Sequence, residues 1–145
     1  MLRSPAFTLI EIVLVIALLV LILAFAAPIG WSFVAQNDLD VSVSVAAQNL
    51  RRAQALTAAG YGGSGWGVEL QSGQVILFQG SSFAGRNPDF DEVYNFPESL
   101  NVGGAGEVDF QPLTGLPALP ALLTFSNSES QTANITVNDI GMVSY

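Results

Sequence analysis

Residues 7–29 constrain this chain more than any other stretch, because they are almost wholly apolar and carry one charge, Glu11. As a helix rising about 1.5 Å per residue they extend roughly 35 Å, enough to cross a ~30 Å hydrocarbon core with some tilt. A carboxylate in such a segment costs ~2.5 kcal/mol or more at the bilayer centre and less near an interface, and an ionisable group there points to a function and to a partner. Glu11 stands close to the start of the run, so it sits toward the interface. Arg3 and the amine supply the positive charge before the run, whereas Asp38 and Asp40 follow it and the next arginine is Arg51. The positive-inside bias puts the N-terminus in the cytoplasm and residues 31–145 outside.

Three readings of this stretch compete. A cleaved secretory signal would use Arg3 as its charged region and Ala24-Phe25-Ala26 as its small-x-small site, but such signals have apolar runs of only ~7–15 residues. A plain single-span anchor explains the length and leaves Glu11 without a role. The third reading rests on a resemblance. Ala6-Phe7-Thr8-Leu9-Ile10-Glu11 resembles the processing site of type IV prepilins and of the pseudopilins of type II secretion. Those proteins carry a short leader, a cut before Phe, Thr-Leu-Ile-Glu after it, and then an apolar helix. They usually have Gly before the cut, where this chain has Ala6, and often a Pro well along the span, where Pro28 stands. The resemblance implies cleavage between Ala6 and Phe7 by prepilin peptidase and N-methylation of Phe7. It also implies an inner-membrane assembly platform and other pilin or pseudopilin subunits as partners.

Beyond the span, Pro28 and Gly30 act against a helix, since Pro removes a backbone donor and Gly adds freedom. Yet Leu39, Val43, Ala46, Leu50 and Ala53 recur at spacings of four and three, one face of a helix. One helix over about residues 7–59, stopped by Gly60, therefore has a lipid-facing half and an amphipathic half. Asp38, Ser42, Gln48, Arg51, Arg52 and Gln54 fall on its outer side, and the apolar side must cover a sheet. Five glycines in residues 60–67 make a loop, after which the period changes to two. Residues 66–71 and 74–79 around Ser72-Gly73 read as a hairpin. Residues 80–98 read as irregular, 100–102 and 107–110 as short strands, 112–120 as a loop, and 121–126, 134–137 and 142–145 as strands. A helix followed by strands predicts an α+β fold with an antiparallel sheet. The expected domains are a leader (1–6), a transmembrane helix (7–30), its amphipathic continuation (31–59) and a β-rich head (60–145). The end of the chain, with Leu123-Thr124-Phe125-Ser126, Ile135-Thr136-Val137, a turn at Gly141 and a final Met142-Val143, is similar to GspH/FimT-type minor pseudopilins. That resemblance implies a pilin-like fold and a structural subunit of a type II secretion pseudopilus or type IV pilus.

Composition narrows the chemistry. Net charge is −8, from 12 acids against 4 arginines, with no Lys, His or Cys. Nucleic-acid binding needs clustered basic residues, and none follows Arg86, so a DNA-uptake minor pilin is the weaker alternative. Disulfides, thiolate or imidazole metal sites and histidine catalysis are excluded. No nucleophile–base pair is visible, so neither an enzyme nor a cofactor is expected. Asp89, Asp91 and Glu92 offer oxygen ligands that Ca²⁺ uses, but without the EF-hand spacing or its Gly; a solvated acidic loop is the simpler reading. Asn134-Ile135-Thr136 fits a glycosylation sequon and a plain strand equally. Tyr61, Trp66, Phe78, Phe83, Phe90 and Tyr94 form either a ligand surface or core, with core preferred. Arg51 and Arg52 suit a phosphate or, more simply, solvent and a neighbouring acid. The mechanism expected is assembly. In a helix starting at Phe7, its amine lies about 6 Å along the axis from Glu11. A neighbour displaced by one step brings its amine to this carboxylate, and pairing removes the cost each carries alone. A membrane-anchored binding module, the other alternative, has no use for Glu11.

Overall fold

A computed structural model describes residues 7–24 and 33–145, together with the backbone of residues 25–32. The chain forms two compact units, one reaching Val34 and the other Ala35–Tyr145. A single helix, α1 (Leu9–Ala58), runs through the boundary. In the first unit its described apolar side chains, among them Leu14, Ile16, Leu18 and Leu21, are exposed on every side.

In the second unit α1 buries Leu39, Val43, Ala46, Ala47, Leu50, Ala53 and Thr57, so the expected helical face is the buried one. The face is also wider than the apolar pattern indicates. Ser42 and Asn49, in line with Ala46 and Ala53 at helical spacing, are buried too. The outward assignment of Ser42 is therefore corrected. Asn49 tolerates burial because its Nδ2 donates to Val45 O at 3.0 Å, which satisfies part of an amide that would otherwise be costly to bury. The helix ends at Gly60, whose φ of 67° is left-handed and free of Cβ strain, with its N–H donated to Thr57 O at 3.0 Å.

Eight strands follow: β1 (Trp66–Gln71), β2 (Gln74–Gln79), β3 (Asn87–Asn95), β4 (Asn101–Gly104), β5 (Glu107–Asp109), β6 (Ala121–Ser126), β7 (Thr132–Val137) and β8 (Val143–Ser144). They divide into two four-stranded sheets, ordered β3-β2-β1-β5 and β4-β6-β7-β8, with every pairing antiparallel. The expected hairpin forms between β1 and β2, with Trp66 opposite Gln79. Both sheets turn their apolar faces to α1. Val68, Leu70, Val75 and Leu77 from one, and Leu123, Phe125, Ile135 and Val137 from the other, join Leu50 and Ala53 in a single core. The small residues Ala46, Ala47 and Ala53 keep the helix close to both.

Strand β3 corrects the reading of residues 80–98 as irregular. Asn, Pro and Asp disfavour strands, but β3 is an edge strand, where Pro88 removes no needed donor and no apolar alternation is required. The segment before it has a structural task as well. Phe78, on the face of β2 away from α1, meets Phe83 edge-on at 5.6 Å. That contact helps cover the outer side of the first sheet, so β2 is buried on both faces. Gly67 lies beneath the same ring, where an added Cβ would come within 2.4 Å of Phe78 Cζ.

Candidate assembly sites

The first candidate site is the start of α1. Phe7 and Thr8 precede the helix, which begins at Leu9. Thr8 O accepts from Glu11 N at 3.1 Å and Ile12 N at 3.3 Å, and Thr8 Oγ1 makes a longer contact with Glu11 N at 3.4 Å. Thr8 is thus the N-cap and Glu11 stands three residues inside, the spacing of a capping box. A carboxylate in the first turn also complements the helix dipole. Reading the hexapeptide only as a processing motif missed this role of Thr8; the Thr-x-x-Glu spacing was the available signal. Glu11 is exposed and makes no ion pair among the described residues. It shares a shallow apolar hollow with Phe7, Ile12, Val15 and Ile16. Because Phe7 lies outside the helix, the 6 Å spacing expected from a helix starting there does not describe this chain. Arg3, Ala6 and the side chain of Pro28 lie outside the described residues. Among the described residues no helix is long and apolar enough to cross a membrane. Within the helix, side chains of the apolar run are described only over residues 9–24, short of the ~20 residues a span needs.

The second candidate is a groove on the head. Between β2 and β3 the register jumps, with Leu77 opposite Glu92 but Gln79 opposite Asn87. Phe78 alone therefore stands across from Pro88, Asp89, Phe90 and Asp91, and this excess bulges outward. Bulges re-aim side chains, and here the effect is specific. Phe90 swings edge-on to Trp66, ring centres 6.3 Å apart, while Tyr61 lies 6.0 Å from the same indole. Trp66 is held from beneath: its backbone N–H donates to Thr57 Oγ1 at 2.8 Å and its Nε1 to Tyr61 O at 2.9 Å. Asp91 turns back, its Oδ2 accepting from Arg86 Nε at 2.7 Å, and Arg86 in turn stacks 3.7 Å over the Phe83 ring.

Glu92 closes the groove on the helix side. Its two oxygens accept from Nη1 and Nη2 of Arg52, each at 2.6 Å, and Tyr94 Oη donates to Oε2 at 2.8 Å. The hydrogen bonds from Arg52 first, then from Tyr94, hold the Glu92 carboxyl below its usual range. The same bond to Glu92 raises Arg52 further and, as the leading cause, raises the Tyr94 hydroxyl. Arg51 is engaged as well, donating to Val143 O at 3.0 Å and lying 5.3 Å above the Tyr145 ring. Arg51, Arg52 and Arg86 therefore meet this chain's own groups, including the acids of β3.

Of the Ca²⁺ candidates, Asp91 and Glu92 are thus committed to arginines and Asp89 to neither. Among the described residues no group of three or more acidic, His or Cys side chains is placed to hold a metal ion. Trp66 and Phe78 are buried, whereas Tyr61 and Phe90 remain exposed. Asn134 and Thr136 lie on the outer face of β7, with Ile135 between them in the core.

A long N-terminal helix packed on antiparallel sheets defines an α+β fold of the pilin-like class. The structure of the minor pseudopilin EpsH from the type 2 secretion system of Vibrio cholerae has this fold. It aligns with a TM-score of 0.57 over 74% of this chain and 94% of that one, at 14% identity. No protein-family model and no curated protein matches the sequence.

Proposed function

We propose that this chain is a structural subunit, a minor pilin or pseudopilin, of a type II secretion pseudopilus or related type IV filament, and not an enzyme. The observation that carries the reading is Glu11, the lone carboxylate of the apolar run at residues 7–29, at the start of the helix that leads into a head of pilin-like fold. In this reading prepilin peptidase cuts between Ala6 and Phe7, and Phe7 is N-methylated. Residues 7–30 anchor the subunit in the inner membrane with the head outside, until the assembly platform moves it into the filament. There the apolar helix packs among those of other subunits. Packing of apolar side chains in an apolar medium is nonspecific, whereas a buried charge pair fixes register. Glu11 supplies the acid of that pair and a neighbour's Phe7 amine supplies the base. Thr8 contributes by capping the helix, which fixes where Glu11 projects.

The test has two parts. The N-terminal mass of the protein from its native membrane should correspond to a chain starting at Phe7; a start at Met1 or after Ala26 contradicts the processing step. Glu11→Leu should leave the protein membrane-bound but absent from sheared filaments. Normal incorporation of that variant returns the chain to the class of anchored binding modules.

A further inference from the structure

We propose that the groove bounded by Tyr61, Trp66, Phe90, Asp89 and Asp91 receives a basic side chain, arginine or lysine, from the head of a different protein. The inference concerns the head alone and stands whether or not the N-terminal helix assembles.

Four observations carry it. First, the groove encloses about 410 Å³, near the small end of ligand sites, which run ~300–1,000 Å³, and suited to one long side chain. Second, its walls are aromatic, and two of the rings are open to an incoming group, Tyr61 being 57% exposed and Phe90 41% exposed. A cation within ~6 Å of such faces is attracted by the ring quadrupole. Third, its charge is incompletely answered. Arg52 neutralises Glu92 and Arg86 takes one oxygen of Asp91, but Asp89 has no ion pair among the described residues. Asp91 Oδ1 is a buried acceptor without a hydrogen-bond partner. The groove is therefore left one charge negative, at Asp89, which an added cation answers. Fourth, in a second copy of this chain the described arginines are already engaged. Arg51 is held by Val143 and Tyr145, Arg52 by Glu92, and Arg86 by Asp91. Two heads would also bring together chains of net charge −8, whose mutual repulsion opposes association. The occupant is thus a basic residue on another protein.

The experiment uses the full chain in detergent micelles with Trp31→Phe, which leaves Trp66 as the sole indole of the two in the sequence. An acetylated, amidated Gly-Arg-Gly peptide is titrated while Trp66 emission is read. The same peptide with citrulline, the neutral isostere of arginine, is the control. The proposal expects a saturable change with the arginine peptide that weakens with salt. It expects binding weaker by about tenfold for the citrulline peptide and for Asp89→Asn, the scale of one desolvated cation–π or charge contact. Asp89→Asn leaves both ion pairs of the groove intact, so its fold should be retained, as circular dichroism can verify. Phe90→Ala, which opens one wall, should weaken binding in the same direction. Equal response to the two peptides, an Asp89→Asn variant that binds unchanged, or no saturable response to arginine each overturns the proposal.

Discussion

Thr57 is the most informative single position in the head, because one hydroxyl joins the last turn of α1 to the first residue of β1. The side chain is fully buried, and Oγ1 accepts from Trp66 N at 2.8 Å. Thr57→Val keeps the volume and removes the acceptor, leaving a buried N–H unsatisfied, which costs ~1–3 kcal/mol. The added methyl recovers ~0.8 kcal/mol of apolar burial, for a net loss of roughly 0.2–2 kcal/mol. Thr57→Ser keeps the acceptor and loses one buried methyl, about 1 kcal/mol with its small cavity. The sharper difference is local: Val releases Trp66 from its anchor and Ser does not. Urea unfolding of the full chain in micelles, followed by far-UV circular dichroism, gives the two stabilities. Amide hydrogen exchange at Trp66 gives the local one. The expectation is faster exchange at Trp66 in Val than in Ser, with Val no more stable than the parent. A Val variant equal to the parent on both measures would refute the claim that this hydrogen bond fastens helix to sheet.

Other expectations follow from the same contacts. Glu69 faces Glu107 across the β1–β5 pair, and burial first, then that like charge, raises its pKa above the ordinary value of 4.5. The protonated form is thus favoured on folding, and its contribution is lost as pH rises through the raised pKa. Glu69→Gln should accordingly be more stable than the parent at neutral pH, with the difference vanishing below about pH 4.5 in thermal melts across pH. Glu92 has the opposite sign: its pKa is lowered by Arg52, so its contribution is present above 4.5 and fades as the pH falls below that value. Because the Arg52–Glu92 pair is exposed, Arg52→Gln should change stability by less than ~1 kcal/mol in urea titrations. Gly67→Ala should cost about 1–3 kcal/mol by overpacking, since its Cβ meets the Phe78 ring and Val108 O at 2.9 Å. A variant as stable as the parent would mean the ring has room to move.

Much of the architecture was legible along the chain. Helical spacing from Leu39 to Ala53 identified the face that the sheets cover, Gly60 marked the stop of α1, and the change to a period of two at Trp66 marked the first hairpin. These are local signals, set by backbone geometry and by which side chains avoid water, and they need no knowledge of distant residues. Glu11 and the apolar run around it are equally visible, because a charge in such a run stands out whatever it meets. Strand β3 was hidden because an edge strand owes its conformation to the hydrogen bonds of β2, not to its own Asn, Pro and Asp. Ser42 and Asn49 were misjudged or unnoticed because two sheets, not one, close over α1 and widen the face it buries. The groove was wholly out of reach: Phe90 meets Trp66 only because the register slips between Leu77 and Gln79. Arg52 and Glu92 likewise stand 40 residues apart in the chain and meet only in the folded head. Sequence determined the long helix, most of the strands and where the lone charge sits in the apolar run. Tertiary structure alone decided which arginine answers which acid, and which acid of the groove was left without one, because those pairings depend on strand register and sheet placement rather than on neighbours in the chain.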